Sequence, residues 1–249
     1  MYDRMGNVGA HEIVVESRIH TRTLSDFGEG ELALVLDMYV ERILDLKRDK
    51  RFRHVQVYRN HGELAGSYIY HPHSHILATS IIPHGTMLEL ANSQDHYLQK
   101  ERCLLCDITA QEIRQNKRVI AISENFVAFC PFAPRFPFEV CVLPRFHSHT
   151  FESLADEGIL KHEFIHLFLD VMRRVERARS SHTIVFHTAP NVVNEEVTRE
   201  PADIENYFHW RVEILPRDLR SSRFKREDDF YHASLTPEEA AQILRSDKP

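Results

Sequence analysis

The chain has 249 residues, enough for one large domain or two fused units. A net charge of −6 argues against a nonspecific grip on nucleic acid, which needs a basic face. No apolar run reaches the roughly 18 residues of a membrane span, and the first residues lack the charged-then-apolar pattern of a secretory leader.

Taken in order, residues 12–24 (EIVVESRIHTRTL) open with a strand-like run, and Leu32, Leu36, Tyr39, Val40 and Ile43 then recur at the spacing of one helix face. A β-branched run at 54–60 (HVQVYRN) predicts a second strand. The stretch 67–76 (SYIYHPHSHI) predicts a third, which would place His71, His73 and His75 on alternate positions and so on one face. On such a face one imidazole can attack a phosphorus while its neighbours hold phosphate oxygens or move a proton. The bland alternative is a row of solvated histidines on an edge strand. Residues 87–102 predict an amphipathic helix leading into Cys103-Leu-Leu-Cys106. Residues 118–130 read as two strands around a turn at Glu124-Asn125, and the proline-rich 131–139 as a rigid extended connector.

The pattern then returns. Residues 139–151 (EVCVLPRFHSHTF) match 12–24 without a gap, setting Glu139 on Glu12, Arg145 on Arg18, His147 on His20 and Thr150 on Thr23. A helical face follows at Leu160, Phe164, Leu167, Phe168 and Val171, then a strand at 182–188 matched to 54–60. Residues 205–214 match 67–76 and set His209 on His71. A charged loop at 221–229 and a closing helix with Pro237 in its first turn complete the chain. Each half thus reads strand, helix, strand, loop, strand. This divides the chain into a first repeat at 1–86, a connecting helix at 87–102 and a second repeat at 103–249.

The chain carries 17 histidines and four cysteines. Such cysteine usage fits a reduced, cytoplasmic protein with a metal clip rather than a disulfide framework. Two thiolates at the two-residue gap, Cys103 and Cys106, with His147 and His209 would fill a tetrahedral zinc shell and leave no position for a reacting water, which makes the site structural. Small buried cysteines and satisfied core histidines are the alternative. By the repeat, His20 and His71 belong to a counterpart site whose CxxC would lie upstream of residue 1, so that site is expected to be empty or weakly occupied.

The stretches YRNHGELAGSYIYHPHSHILATSIIP, CLLCDI, ENFVAFCPFAPRFPFEVCVLPRFH, FHWRVEILPR and LTPEEAAQILR resemble, in order, galactose-1-phosphate uridylyltransferases of the histidine-triad superfamily. The resemblance runs from about residue 10 to the end. It implies an α+β fold of two tandem histidine-triad-like repeats, with antiparallel sheets and packed helices, and a homodimer. The activity it implies is transfer of a nucleoside monophosphate between sugar phosphates in galactose metabolism, through a nucleotidyl-histidine. By position, His73 resembles the nucleophile, His71 a metal ligand and Asn60 a phosphate contact. Gly66 resembles the small residue that lets backbone approach phosphate, and Ser67 lies beside it among the substrate-binding positions. The chain departs from the family in several places. His75 stands where the transferases carry glutamine, Tyr68 replaces a serine and Arg211 replaces a histidine. The family's opening strands and first CxxC are missing, which reads as a shortened beginning, and KREDD lacks the look of the glycine-rich sugar-contacting segment. An imidazole at 75 can donate a proton to a leaving group where an amide cannot. The expected partner is a nucleotide-sugar or another nucleoside phosphate, and the cofactor zinc. The alternatives are a histidine-triad-type nucleotide hydrolase, a truncated non-catalytic homologue, or a coding start placed too late.

Overall fold

The computed structural model describes residues 6, 8–155, 158–191, 204–217 and 234–246. The charged loop at 221–229 lies outside the described residues. Eight strands form one antiparallel sheet: β1 (Gly9–Val15), β2 (His54–His61), β3 (His73–Thr79), β4 (Val119–Ile122), β5 (Phe126–Phe129), β6 (Val140–Pro144), β7 (Ser181–His187) and β8 (Arg211–Arg217). Their spatial order is β1-β3-β2-β7-β8-β6-β5-β4. The triplet β1-β3-β2 is mirrored as β6-β8-β7 across the β2–β7 seam, so the two repeats share one sheet rather than building two.

The helices are α1 (Glu29–Lys47), α2 (His84–Lys100), α3 (Leu104–Gln115), α4 (Gly158–Ala178), the short α5 (Ile204–Tyr207) and α6 (Pro237–Arg245). Helix α1 follows β1 as α4 follows β6. Both lay their apolar stripe on the same face of the sheet, where Leu36, Tyr39, Ile43, Phe164, Phe168 and Val171 pack with Val55, Val57, Ile76, Ile184 and Ile214. On the opposite face Leu105, Ile108 and Ile113 of α3 pack against Val119, Val127, Phe129 and Cys141, covering the second half of the sheet. The fold is α+β with two tandem repeats, as the sequence implied. Helix α6 starts as predicted, with Pro237 inside a Thr236–Glu239 capping box.

Four local expectations change. Strand β3 begins at His73, not Ser67, because Pro72 has no N–H to give the ladder and its carbonyl instead accepts from Glu16 N at 3.0 Å. His71 therefore precedes the strand, and only His73 and His75 share its face. The matched run at 205–214 opens as the helical turn α5 before β8 begins at Arg211. The segment 131–139 bends rather than extends: Phe138 adopts φ 65°, and the Glu139 carboxylate accepts from the backbone N–H of Arg135 and Phe136. Finally, the ungapped repeat slips by one residue within strands. Val57 faces the core, but so do Ile184 and Phe186 rather than its counterpart Val185. A one-residue shift reverses every side chain in a strand, so burial overrules letter matching there.

His54 is 5% exposed and neither ring nitrogen has a hydrogen-bond partner among the described residues. Burial first, then the charges of His187 and Lys47, push its pKa down to about 4. The folded protein thus refuses a proton that the unfolded chain accepts near pH 6.5. Stability should be intact above that pH and fall by about 3 kcal/mol as pH drops to about 4. Urea melts across this window should show the decline, and His54→Leu should flatten it; a slope untouched by the substitution would refute the assignment.

Candidate active site and metal cluster

Strand β3 is paired on both sides, with β1 and with β2. Its side chains alternate between the helix-covered face and the opposite face. Ser74, Ile76 and Ala78 point to the helices, and His73 and His75 to the other side. Beneath the strand the Glu16 carboxylate is buried with Arg59, whose Nε donates to it at 2.9 Å. The same carboxylate accepts from the Tyr39 hydroxyl at 3.1 Å and from Ser74 Oγ. Burial, then the Glu16 charge, raise the Tyr39 pKa well above its ordinary value, so the phenol stays a donor. Since Glu16 N also bonds the Pro72 carbonyl, this one residue holds the chain at 72 and 74, on both sides of His73.

His73 is 8% exposed and its Nδ1 lies 2.7 Å from the His71 carbonyl, an arrangement that places the proton on Nδ1 and leaves the Nε2 lone pair free. His75 stacks on Tyr58 of β2 with ring centroids 4.8 Å apart and meets His73 edge-on at 4.9 Å. Its Nδ1 lies 3.0 Å from Nε2 of His11, on β1. Burial, and then the charges of His73 and His11, lower the His75 pKa, so the ring is neutral at pH 7.

Asn60 sits on β2 opposite Thr183; strand alternation puts it on the face of Tyr58 and His75. Gly66 closes a 3-10 turn (Glu63–Ala65) at φ 79°, and a Cβ there would meet open space, so its backbone conformation is what calls for glycine. Ser67 donates to the Ile69 carbonyl at 3.1 Å, which shapes its own loop. His61 turns to the opposite face from Asn60, packs on the His182 ring at 5.2 Å and lines a cavity with Arg173, Glu176 and Arg177. It stands apart from the His73–His75 pair.

In the second half, Cys103 caps the N-terminus of α3 and Cys106 sits in its first turn. Their sulfurs and one nitrogen each of His147 and His209 all lie within 4.8 Å of one another. Both imidazoles turn Nδ1 to the sulfurs while Nε2 bonds a backbone carbonyl, that of Glu205 at 2.7 Å for His147 and that of Pro144 at 3.1 Å for His209. This outer shell of carbonyls is what orients metal-ligating imidazoles. Hydrogen bonds from Cys106 and from both imidazoles hold the Cys103 thiol well below its ordinary pKa, toward the thiolate a cation requires. The four residues can hold a metal ion.

In the first half His20 and His71 also approach each other, with ring centroids 5.3 Å apart and no cysteine beside them among the described residues. His71 Nε2 bonds the Ser17 carbonyl at 2.8 Å, and its Nδ1 lies 3.1 Å from His20 Nδ1. Ser17 matches Pro144 in the repeat, so the two halves orient these histidines alike. Two and four residues beyond His209, where His73 and His75 follow His71, stand Arg211 and Glu213. They form ion pairs with each other and with Glu89 and Arg135, beside a cavity of ≈ 570 Å³ under α2 and α3. Neither of those two positions carries a histidine.

Residues 5–82 match a family described as the N-terminal domain of a domain of unknown function, DUF4931. ADP-glucose phosphorylase of Arabidopsis thaliana is 28% identical over 243 residues, which is 95% of this chain and 64% of that protein. Galactose-1-phosphate uridylyltransferase of Thermotoga maritima is 26% identical over 95% of this chain and 74% of its own length. The crystal structure of the Arabidopsis ADP-glucose phosphorylase with bound ADP-glucose superposes with a TM-score of 0.82 at 26% identity, covering 95% of this chain and 72% of that one. The chain spans less than two thirds of the Arabidopsis relative's full length. It is similar to both of these enzymes over 95% of its own length.

Breaking the buried pair beneath β3 should be costly, since it strands a charge. Arg59→Leu is expected to lower stability by about 3–5 kcal/mol in urea unfolding, with part regained on adding Glu16→Gln. A loss below about 1 kcal/mol would show that water replaces the guanidinium.

Proposed function

We propose that this protein is a nucleotidyltransferase acting on nucleotide-sugars and sugar 1-phosphates through a nucleotidyl-histidine on His73. The observation that carries this reading is the His73 Nδ1 contact with the His71 carbonyl, which leaves Nε2 as the attacking atom. Nε2 attacks the α-phosphorus, a P–N bond forms, and the P–O bond to the sugar phosphate breaks with its electron pair on the departing oxygen. In the second half-reaction an oxygen of the incoming sugar 1-phosphate attacks the same phosphorus and the P–N pair returns to Nε2. Asn60 and His75, on the same face, stabilise charge on the phosphate oxygens, and the Gly66–Ser67 backbone borders the substrate. The kinship to two enzymes of this chemistry, one seen with ADP-glucose, supports the substrate class.

The cysteine–histidine cluster we assign to structural zinc, held by Cys103, Cys106, His147 and His209. All four tetrahedral positions would be filled by protein, so the ion ties α3 to β8 and lends no open position for chemistry. Among the described residues the His20–His71 pair offers two imidazoles, a weaker donor set than the four of the cluster. A homodimer is supported by the exposed β1 edge, where Ile13 and Val15 are 56% and 64% exposed.

Incubation with UDP- or ADP-sugars should yield an acid-labile nucleotidyl adduct, located at His73 by mass spectrometry and absent from His73→Asn. No adduct with either nucleotide would end the reading. Replacing His75 with glutamine should raise the ratio of transfer to hydrolysis in product analysis; an unmoved ratio would refute a proton-donating His75. Elemental analysis should find about one zinc per chain, lost in Cys106→Ser while His20→Ala retains it.

A further inference from the structure

The mechanism above leaves His11 unused, although it makes the closest side-chain contact to His75. His11 sits on the edge strand β1, is exposed, and reaches diagonally across the β1–β3 ladder to set Nε2 3.0 Å from His75 Nδ1. Two imidazole nitrogens at this distance share one proton. The rings that face His75 are His11 from β1, Tyr58 from β2 and His73 on its own strand, and of these only His11 bonds it. His75 is half-buried and His11 exposed, so the second imidazole offers the His75 Nδ1 atom a path to solvent.

We propose that His11 is a positioning residue that relays protons between water and His75, equipping the site for nucleotide esters and amides whose leaving group must depart protonated. The inference rests on the reading of His73 as nucleophile. In the resting state His11 Nε2–H donates to His75 Nδ1, and His75 carries its own proton on Nε2. When His73 attacks, the P–O or P–N bond to the leaving group breaks, and the leaving atom takes the bond's electron pair and the His75 Nε2 proton. The His11 Nε2 proton moves to His75 Nδ1, and water supplies one to His11 Nδ1. Both rings end neutral in the other tautomer. The second half-reaction reverses every transfer: the acceptor hydroxyl or water loses its proton to His75 Nε2, His75 Nδ1–H returns to His11 Nε2, and His11 Nδ1–H goes to solvent. Charge and protons balance over the cycle, and neither ring needs to become an imidazolate or flip.

A sugar phosphate leaves as an anion and asks nothing of this relay. The test therefore compares two probes sharing one nucleotide, run in the uridine and adenosine series. One is the 5′-(4-nitrophenyl) phosphate, whose phenolate leaves unprotonated; the other is the 5′-methyl phosphate, whose methoxide cannot. Single-turnover formation of the His73 adduct is followed for wild type, His11→Gln and His11→Ala between pH 5 and 9. Glutamine can bond His75 but cannot pass a proton. The ratio of methyl-ester to nitrophenyl-ester rates is expected to fall roughly 100-fold in both variants, with the methyl-ester pH profile changed in both. A ratio in His11→Gln within about twofold of wild type overturns the relay and leaves a structural contact. No adduct from either ester in the wild type overturns the nucleotidyl-histidine itself.

Discussion

The Glu16 carboxylate organises the candidate site. Alone in the interior it would be strongly destabilising, and it is held by the Arg59 guanidinium, the Tyr39 phenol and the Ser74 hydroxyl. These three come from β2, α1 and β3, so satisfying one charge fixes the relation of three elements. Glu16 also bonds the Pro72 carbonyl, and the backbone that carries His73 is pinned on either side. The side chain of His73 is then oriented by the carbonyl two residues earlier. The tautomer of this imidazole is thus set by backbone that a buried ion pair holds, rather than by an adjacent carboxylate.

The two repeats have divided the work by changing few positions. His71, His147 and His209 each bond a backbone carbonyl through Nε2, and His20 Nδ1 meets His71 Nδ1 in the first half. In the second half two sulfurs join the pair, and the positions two and four residues downstream become Arg211 and Glu213. Burial disfavours the Arg211 charge, but Glu213 and Glu89 hold it cationic, and the Glu213 carboxyl is kept well below its usual range against the same burial by His187, Arg211 and Arg135. A locked ion network cannot act as a nucleophile. In the first half no cysteine lies beside His20 and His71 among the described residues, and His73 and His75 stand two and four positions beyond His71.

The sequence disclosed what depends on short spacing. Cys103 and Cys106 announce a clip by their gap, and His147 and His209 are tied to it by the repeat. The face shared by His73 and His75 follows from alternation alone. Contacts across the ladder were not legible. His11 reads as one more exposed residue on a polar-alternating strand, and nothing in its neighbourhood says that its diagonal partner is His75. Glu16 and Arg59 carried a usable signal, charges at positions where alternation calls for core. Without the three-element pairing that explains them they look like noise. The start of β3 was misplaced because the alternation of SYIYHP outweighed the proline that forbids it. The one-residue slips show that letter identity tolerates a shift that packing does not.

The seam between the halves links the cysteine–histidine cluster to β3, the strand of His73 and His75. Strand β8 follows directly from His209 and pairs with β7; β7 pairs with β2 over five residues, and β2 with β3. At the end of the seam Gly62 adopts φ 82°, and a Cβ there would come within 2.2 Å of Ser181 Oγ, so the halves approach as closely as a side-chain-free residue allows. Hydrogen-bonded strands resist sliding because any shift breaks the register everywhere at once. A cation held by His209 would therefore restrain β8, and through four adjacent strands the restraint would reach Tyr58 and His75. Order around the cysteine–histidine cluster would contribute in this way to the geometry around His75.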